Sequence, residues 1–193
     1  MKSPNSFCAA IVTSLLMALC TGQGRAADSI LVESRKADGS PNTPAWTEIS
    51  GKWTSSKNKS RVAKHDSSLT ATNVSVVQTN VPVPAFKVTP TGLEPGATYK
   101  VDVTFSTTQA FVAAPDLVVA VAASGVSAST IPTNTPAFQG TGADEWNTVG
   151  TITPSTNSPT LVFTYVSGTL AKGSRWYADA IRFTPEPAAK KAE

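Results

Sequence analysis

The chain has 193 residues, 16 of them basic and 13 acidic, with 15% charged and 40% hydrophobic residues overall. Setting aside the first 26 residues as a leader leaves 14 basic against 13 acidic side chains, so there is no positive field for nucleic acid or anionic lipid. Cys8 and Cys20 both fall in that leader, which excludes a disulfide scaffold, a thiolate metal centre and a cysteine nucleophile from the remainder.

Residues 1–26 have the build of a signal peptide: Lys2 gives the positive start, Ala9 to Leu19 a short apolar core, and Gly24-Arg25-Ala26 the small residues of a cleavage region. A secreted or periplasmic product is expected, with residues 27–184 as one domain and 185–193 as a disordered tail. Nothing after the leader approaches the roughly 18 uninterrupted apolar residues of a membrane-spanning helix.

Ser29 to Ser34 opens the domain as a short apolar strand, closed by the turn cluster Asp38-Gly39-Ser40-Pro41-Asn42. Ala45 to Trp53 carries Trp46, Ile49 and Trp53. The basic cluster Lys52, Lys57, Lys59, Arg61 and Lys64 that follows lies among Ser, Thr and Asn, the pattern of a solvated loop face. Between Ser68 and Val88 the chain is rich in Thr and Val, and prolines at 82 and 84 keep it off a fully bonded central ladder. Gly92-Leu93-Glu94-Pro95-Gly96 is a turn that delivers Tyr99, Val101, Val103 and Phe105 to one face of a strand, with Lys100, Asp102 and Thr104 on the other. The Tyr99 hydroxyl is placed to bond upstream backbone, as at the corners of extracellular sandwiches.

Asp116 to Ala123 is apolar on both faces and suits a deep strand. Ser124 to Asp144, low in charge and rich in Ser, Thr, Pro and Gly, predicts a long connection with one short strand near Ala137-Phe138. Strands follow at Trp146 to Thr153, Thr160 to Val166 and Trp176 to Thr184. No 3.6-residue apolar period persists, so the fold class is all-β: an antiparallel, jelly-roll-like β-sandwich of about 8–10 strands.

Three features carry a resemblance: the Pro-Gly-x-x-Tyr corner, Trp146-Asn147-Thr148-Val149-Gly150-Thr151, and the closing Ala178-Asp179-Ala180-Ile181-Arg182-Phe183. Too many strands follow Tyr99 for a fibronectin type III domain, which needs only two from its corner tyrosine onward. The set resembles instead the golvesin / xanthan-lyase C-terminal type module, a galactose-binding-like jelly-roll sandwich, and more distantly the jelly-roll carbohydrate-binding modules. The N-terminal half and the long 124–144 connection depart from that pattern. The resemblance implies a non-catalytic module that binds polysaccharide or another cell-surface component, beside a polysaccharide-active or surface assembly. The runner-up is a structural or protein-interaction module with no small ligand.

Candidate ligand contacts are Trp176 and Arg175, where a Gly-rich loop enters the closing strand, and Trp46. An exposed Trp176 indole would stack on a pyranose, with Arg175 bonding hydroxyls or a uronate; packing under a loop is the favoured role for Trp176. Trp146, in phase with Thr148, Gly150 and Ile152, has the position of a packing residue. Asp179 shares a phase with Tyr177 and Ile181, an awkward site for a carboxylate. It either builds a structural calcium site with Glu33 and backbone carbonyls, or accepts bonds from backbone amides, Arg182 or Lys100. His65 is the only histidine, with no Gly-x-Ser-x-Gly elbow beside it, so neither a triad nor a zinc site is supplied. Asp144-Glu145 and Asp179 are the acids from which a hydrolytic pair would have to come, and adjacent acids at a loop end are ordinarily solvated. No other cofactor is implied.

Overall fold

The computed structural model describes residues 28–65, 67–71, 82–107, 112–170 and 174–187. The expected leader, the Val74–Val77 stretch and residues 188–193 lie outside the described residues. Among those described there is no α-helix, only a 3-10 turn at Gly140–Gly142.

The strands are β1 (Ile30–Glu33), β2 (Trp46–Ser50), β3 (Trp53–Ser56), β4 (Ser68–Ala71), β5 (Ala85–Val88), β6 (Tyr99–Thr104), β7 (Val112–Ala113), β8 (Val118–Ser124), β9 (Val126–Ser129), β10 (Asn134–Thr135), β11 (Asn147–Pro154), β12 (Thr160–Ser167), β13 (Ser174–Ala178) and β14 (Ala180–Pro185). They form two five-stranded sheets, β1-β14-β6-β11-β9 and β10-β8-β12-β5-β2, and a four-stranded sheet, β3-β4-β13-β7. Pairing is antiparallel except for β13 with β7. The all-β sandwich is the expected fold class, but it is cut into more and shorter strands than the eight to ten anticipated. Residues 124–144 show why. They contribute two strands, β9 and β10, rather than one near Phe138, and Phe138 itself is a core residue at 1% exposure.

The corner forms as its sequence dictates. Tyr99 is buried and its hydroxyl accepts the Glu94 N–H at 2.9 Å, while Gly96 takes the positive φ of 85° that a side chain would resist. Tyr99, Val101, Val103 and Phe105 all face the core. Across from them an aromatic stack fills the interior: Phe86 lies flat against Trp46 (centroids 4.4 Å) and Phe163 (4.9 Å), and Trp176 packs tilted on Phe86, Trp53 and edge-on to Phe138. Each such ring, moved out of water, stabilises the fold by roughly 1.5–3 kcal/mol.

Two interruptions reset the alternation of side chains. In β11, Thr148 opposes Asp102 and Gly150 opposes Val101, so Val149 is an extra residue, a β-bulge. Gly150 has φ 153°, and a Cβ there would lie 2.9 Å from the Ile131 backbone. At the C-terminal end, β13 and β14 are one run of chain broken at Asp179, where it passes from between β4 and β7 to between β1 and β6. Trp176 is therefore buried on one side of the break, and Ile181 and Phe183 on the other, although residue 176 and residues 181 and 183 have opposite parity. β14 runs to Pro185, and the Glu186 N–H donates to Thr98 O.

Candidate functional site

The two candidate tryptophans are core residues, Trp176 in the packing role favoured for it by the sequence. Trp176 is fully buried and Trp46 is 2% exposed, so neither indole offers a ring face to a ligand. Trp176 sits on β13 opposite Ala71, in the middle of the four-stranded sheet, and Trp46 is sealed against Phe86. Arg175 is half-buried, its main chain paired with the two-residue β7. The three do not converge on a site.

A different surface assembles the polar and aromatic groups. In the five-stranded sheet β1-β14-β6-β11-β9, residues in register across neighbouring strands share a face, so each outward residue belongs to a row. One row runs Leu31, Arg182, Asp102, Thr148. A second runs Thr184, Lys100, Thr151, with Ser29 and Thr130 bonded at its ends. Thr98 and Thr153 join beyond it through their hydroxyls.

Trp146 stands one residue ahead of β11, and its ring reaches Arg182 of the first row. The Thr148/Gly150 bulge separates it in phase from Ile152, so Trp146 and Thr148 point outward while Ile152 is buried. The Trp146 ring is partly exposed and the Arg182 guanidinium lies 4.3 Å from its centroid, a cation–π contact. Arg182 is fixed from below: its Nε and Nη2 donate to Asp102 Oδ2 at 3.2 and 2.8 Å. Thr148 Oγ1 donates to Asp102 Oδ1 at 2.8 Å, and Lys100 Nζ stands 3.6 Å from Oδ2. Asp102 is 1% exposed, so this buried carboxylate anchors a guanidinium, an ammonium and a hydroxyl at the surface.

The third row, Glu33, Ala180 and Thr104, is covered. The segment 59–65 that the sequence presents as a solvated basic loop is pinned there by its main chain. Glu33 Oε1 accepts the Lys64 and His65 N–H groups, and Asp179 Oδ2 accepts the Ser60 N–H at 2.5 Å. Ser60 Oγ and Thr104 Oγ1 are 2.6 Å apart, and Asp144 Oδ1 accepts the Arg61 N–H at 3.0 Å. Burial drives the Asp179 carboxyl up to about 7; the Ser60 N–H and Lys59 pull it down, while Glu33 and Asp144 add to the rise.

Glu33 and Asp179 thus meet in one buried cluster, as a shared calcium site would need. Their donors differ from that reading: one oxygen of each is taken by loop amides, and Glu33 Oε2 lies against His65 Nδ1, which also bonds Arg35 O at 2.9 Å. Asp179 Oδ1 has no partner among the described residues. Among the described residues no group of three or more His, Cys, Asp or Glu side chains converges for a metal. Arg182 and Lys100, the other partners considered for Asp179, are spent on Asp102.

No protein-family model and no curated protein sequence matches the chain. Among solved structures it is similar to part of a Paenibacillus xanthan lyase, at 15% identity and a TM-score of 0.56 over 82% of this chain and 13% of that one. The K1 cleaved adhesin domain of Lys-gingipain from Porphyromonas gingivalis W83 is matched at 11% identity and a TM-score of 0.36, over 82% of this chain and 96% of that domain. The bacteriophage CBA120 tailspike protein 4 enzymatically active domain is matched at 13% identity and a TM-score of 0.39, over 74% and 19%. At these identities the likeness to the xanthan lyase is one of fold, a β-sandwich of antiparallel sheets, and this chain spans about an eighth of that lyase's length.

Proposed function

We propose that the protein is an exported, non-catalytic binding module for polysaccharide or cell-surface glycan, and that it binds through the outer face of the β1-β14-β6-β11-β9 sheet. The observation that carries this reading is the partly exposed Trp146 beside an Arg182 locked by the buried Asp102. A pyranose ring offers apolar C–H groups to an indole and hydroxyls to a guanidinium. The Asp102 bonds hold Arg182 in place before binding, which lowers the entropy lost on association. Thr148, Thr151, Thr184 and Lys100 extend the same face with donors and acceptors spaced along an elongated surface, suited to a chain of sugars. The fold likeness to part of a polysaccharide lyase, and the golvesin-type corner and closing strand, support the same reading.

The test is glycan-array and calorimetric binding of the wild type, Trp146→Ala and Thr148→Ala. Loss of at least about tenfold in affinity for Trp146→Ala, equivalent to about 1.4 kcal/mol, with a melting temperature lowered by no more than about 4 °C, is the expected result. Binding retained by Trp146→Ala would move the site elsewhere. A folded wild type that binds no glycan would return the protein to a structural or protein-interaction module.

A further inference from the structure

We propose that the outer face of the β10-β8-β12-β5-β2 sheet is a self-association surface, on which a second copy of this chain packs sheet against sheet in a weak, concentration-dependent dimer. This face lies across the core from the one assigned to glycan, and the dimer does not depend on that assignment.

Alternation decides which side chains reach the face. Phe86, Phe163, Tyr165, Val119 and Val121 turn to the core, so their neighbours along β5, β12 and β8 turn away from it. One outward row runs Thr47, Lys87, Val162, Ala122. The next runs Ser50, Ala85, Thr164, Ala120, Asn134. Beyond it Pro84 O accepts the Tyr165 N–H at 3.0 Å, which sets Val83 beside Val166, at 42% and 46% exposure. Among the described residues of these rows, Lys87 is the single charged side chain.

An antiparallel sheet with one face in water ordinarily carries polar side chains there, as the opposite layer does with Arg182, Lys100 and its threonines. Here that alternation is replaced by one of Val, Ala and Thr. The reason lies in the sequence: β8 and β10 belong to a run of 27 residues, 117–143, without Asp, Glu, Lys, Arg or His. An exposed apolar surface of this extent marks an interaction site.

Charge, shape and area point to the occupant. A face with one cation and no acid gives a charged partner little to pair with, yet places nothing on itself to repel an identical surface. Regular rows of short side chains match another sheet face, stacked at about 10 Å, and a twofold pair supplies that match from the chain's own copy. Lys87 stands one strand in from the β2 edge, so its amine can reach past Thr47 to water. Five strands about 4.8 Å apart, each giving about six residues, offer roughly 500 Å² per copy. Two copies together bury about 1,000 Å², the lower bound of a specific interface, which makes the dimer weak.

Sedimentation velocity of the protein from about 10 µM to about 1 mM tests the dimer. A reversible monomer–dimer equilibrium is expected, not weakened when sodium chloride rises from about 0.1 to about 0.5 M, since no ion pair holds it. Ala122→Lys and Thr164→Lys, each adding charge to the face, should raise the dissociation constant at least about tenfold, while Trp146→Ala in the opposite layer leaves it unchanged. Ala122 is already exposed, so its variant decides if Thr164→Lys does not fold, with far-ultraviolet circular dichroism as the check. A wild type that stays monomeric to about 1 mM would overturn the proposal. So would a dimer indifferent to Ala122→Lys, one dissolved by salt, or one lost in Trp146→Ala.

Discussion

Trp176 and Trp146 show how the same residue type takes opposite roles a few positions from similar neighbours. Trp176→Ala should cost about 3–5 kcal/mol of stability, because it empties the centre of a ring cluster that cannot collapse around the gap. Trp146→Ala should cost no more than about 1 kcal/mol, since its ring is partly exposed and its main contact is with Arg182. Urea denaturation of the two variants side by side checks the contrast. Asp102→Ala should cost about 2–3 kcal/mol, because it strips Arg182 and Thr148 of their shared acceptor, with water reaching Arg182 and tempering the loss. None of these roles is visible locally. Asp102 has the alternation of a wet-face residue, and it is buried because Arg182, 80 positions away, closes over it.

At the level of elements, the strands whose alternation is unbroken were legible in the sequence, and those with a reset were not. β6 with its corner and β12 lie where the period-2 pattern and the turn residues put them, whereas β8 forms inside the apolar run Asp116–Ala123 but buries Val119 fully and not both its faces. The face of β11 could not be extrapolated, because the extra residue at Val149 puts Trp146 and Ile152 on opposite faces, and in the β13–β14 run residues 176–181 are all buried, so alternation says nothing of Trp176. Gly150 is the device behind the first of these. Gly150→Ala should destabilise the protein by about 2 kcal/mol or more, through its φ of 153° and the 2.9 Å approach to Ile131, measurable as a lower denaturation midpoint. β9 and β10 were illegible for another reason: their Ser- and Thr-rich sequences have little apolar alternation, and they are strands because β11 and β8 offer them edges.

Asp179 also couples this element to global stability. Its carboxyl is raised from 3.8 to about 7 in the folded state, so the native protein binds more protons than the unfolded chain between those limits. The sign follows: this contribution is fully present below about pH 4, fades as pH rises through about 7 and is absent above it. At 1.36 kcal/mol per unit its upper bound is about 4 kcal/mol. Unfolding free energies from urea titrations at several pH values should fall across that window in the wild type and lose this component in Asp179→Asn.

For the molecule as a whole, the three sheets are not three modules. The same run of chain supplies an internal strand to the four-stranded sheet and an internal strand to a five-stranded one, and the aromatic cluster joins Phe86 and Phe163 of the third to Trp53 and Trp176. Thermal and urea unfolding followed by tryptophan fluorescence and by far-ultraviolet circular dichroism should therefore coincide in one transition.

The position of β13 and β14 also dictates an order of events in time. β14 separates β1 from β6, and β13 separates β4 from β7, so two of the three sheets stay incomplete until residues 174–185 are in hand. A ribosome or a translocation channel releasing this chain from its N-terminus would deliver β1 through β12 with no way to close the structure. The last described strands would then complete both sheets together, and a chain ending before Ser174 should remain sensitive to protease and show no cooperative melt.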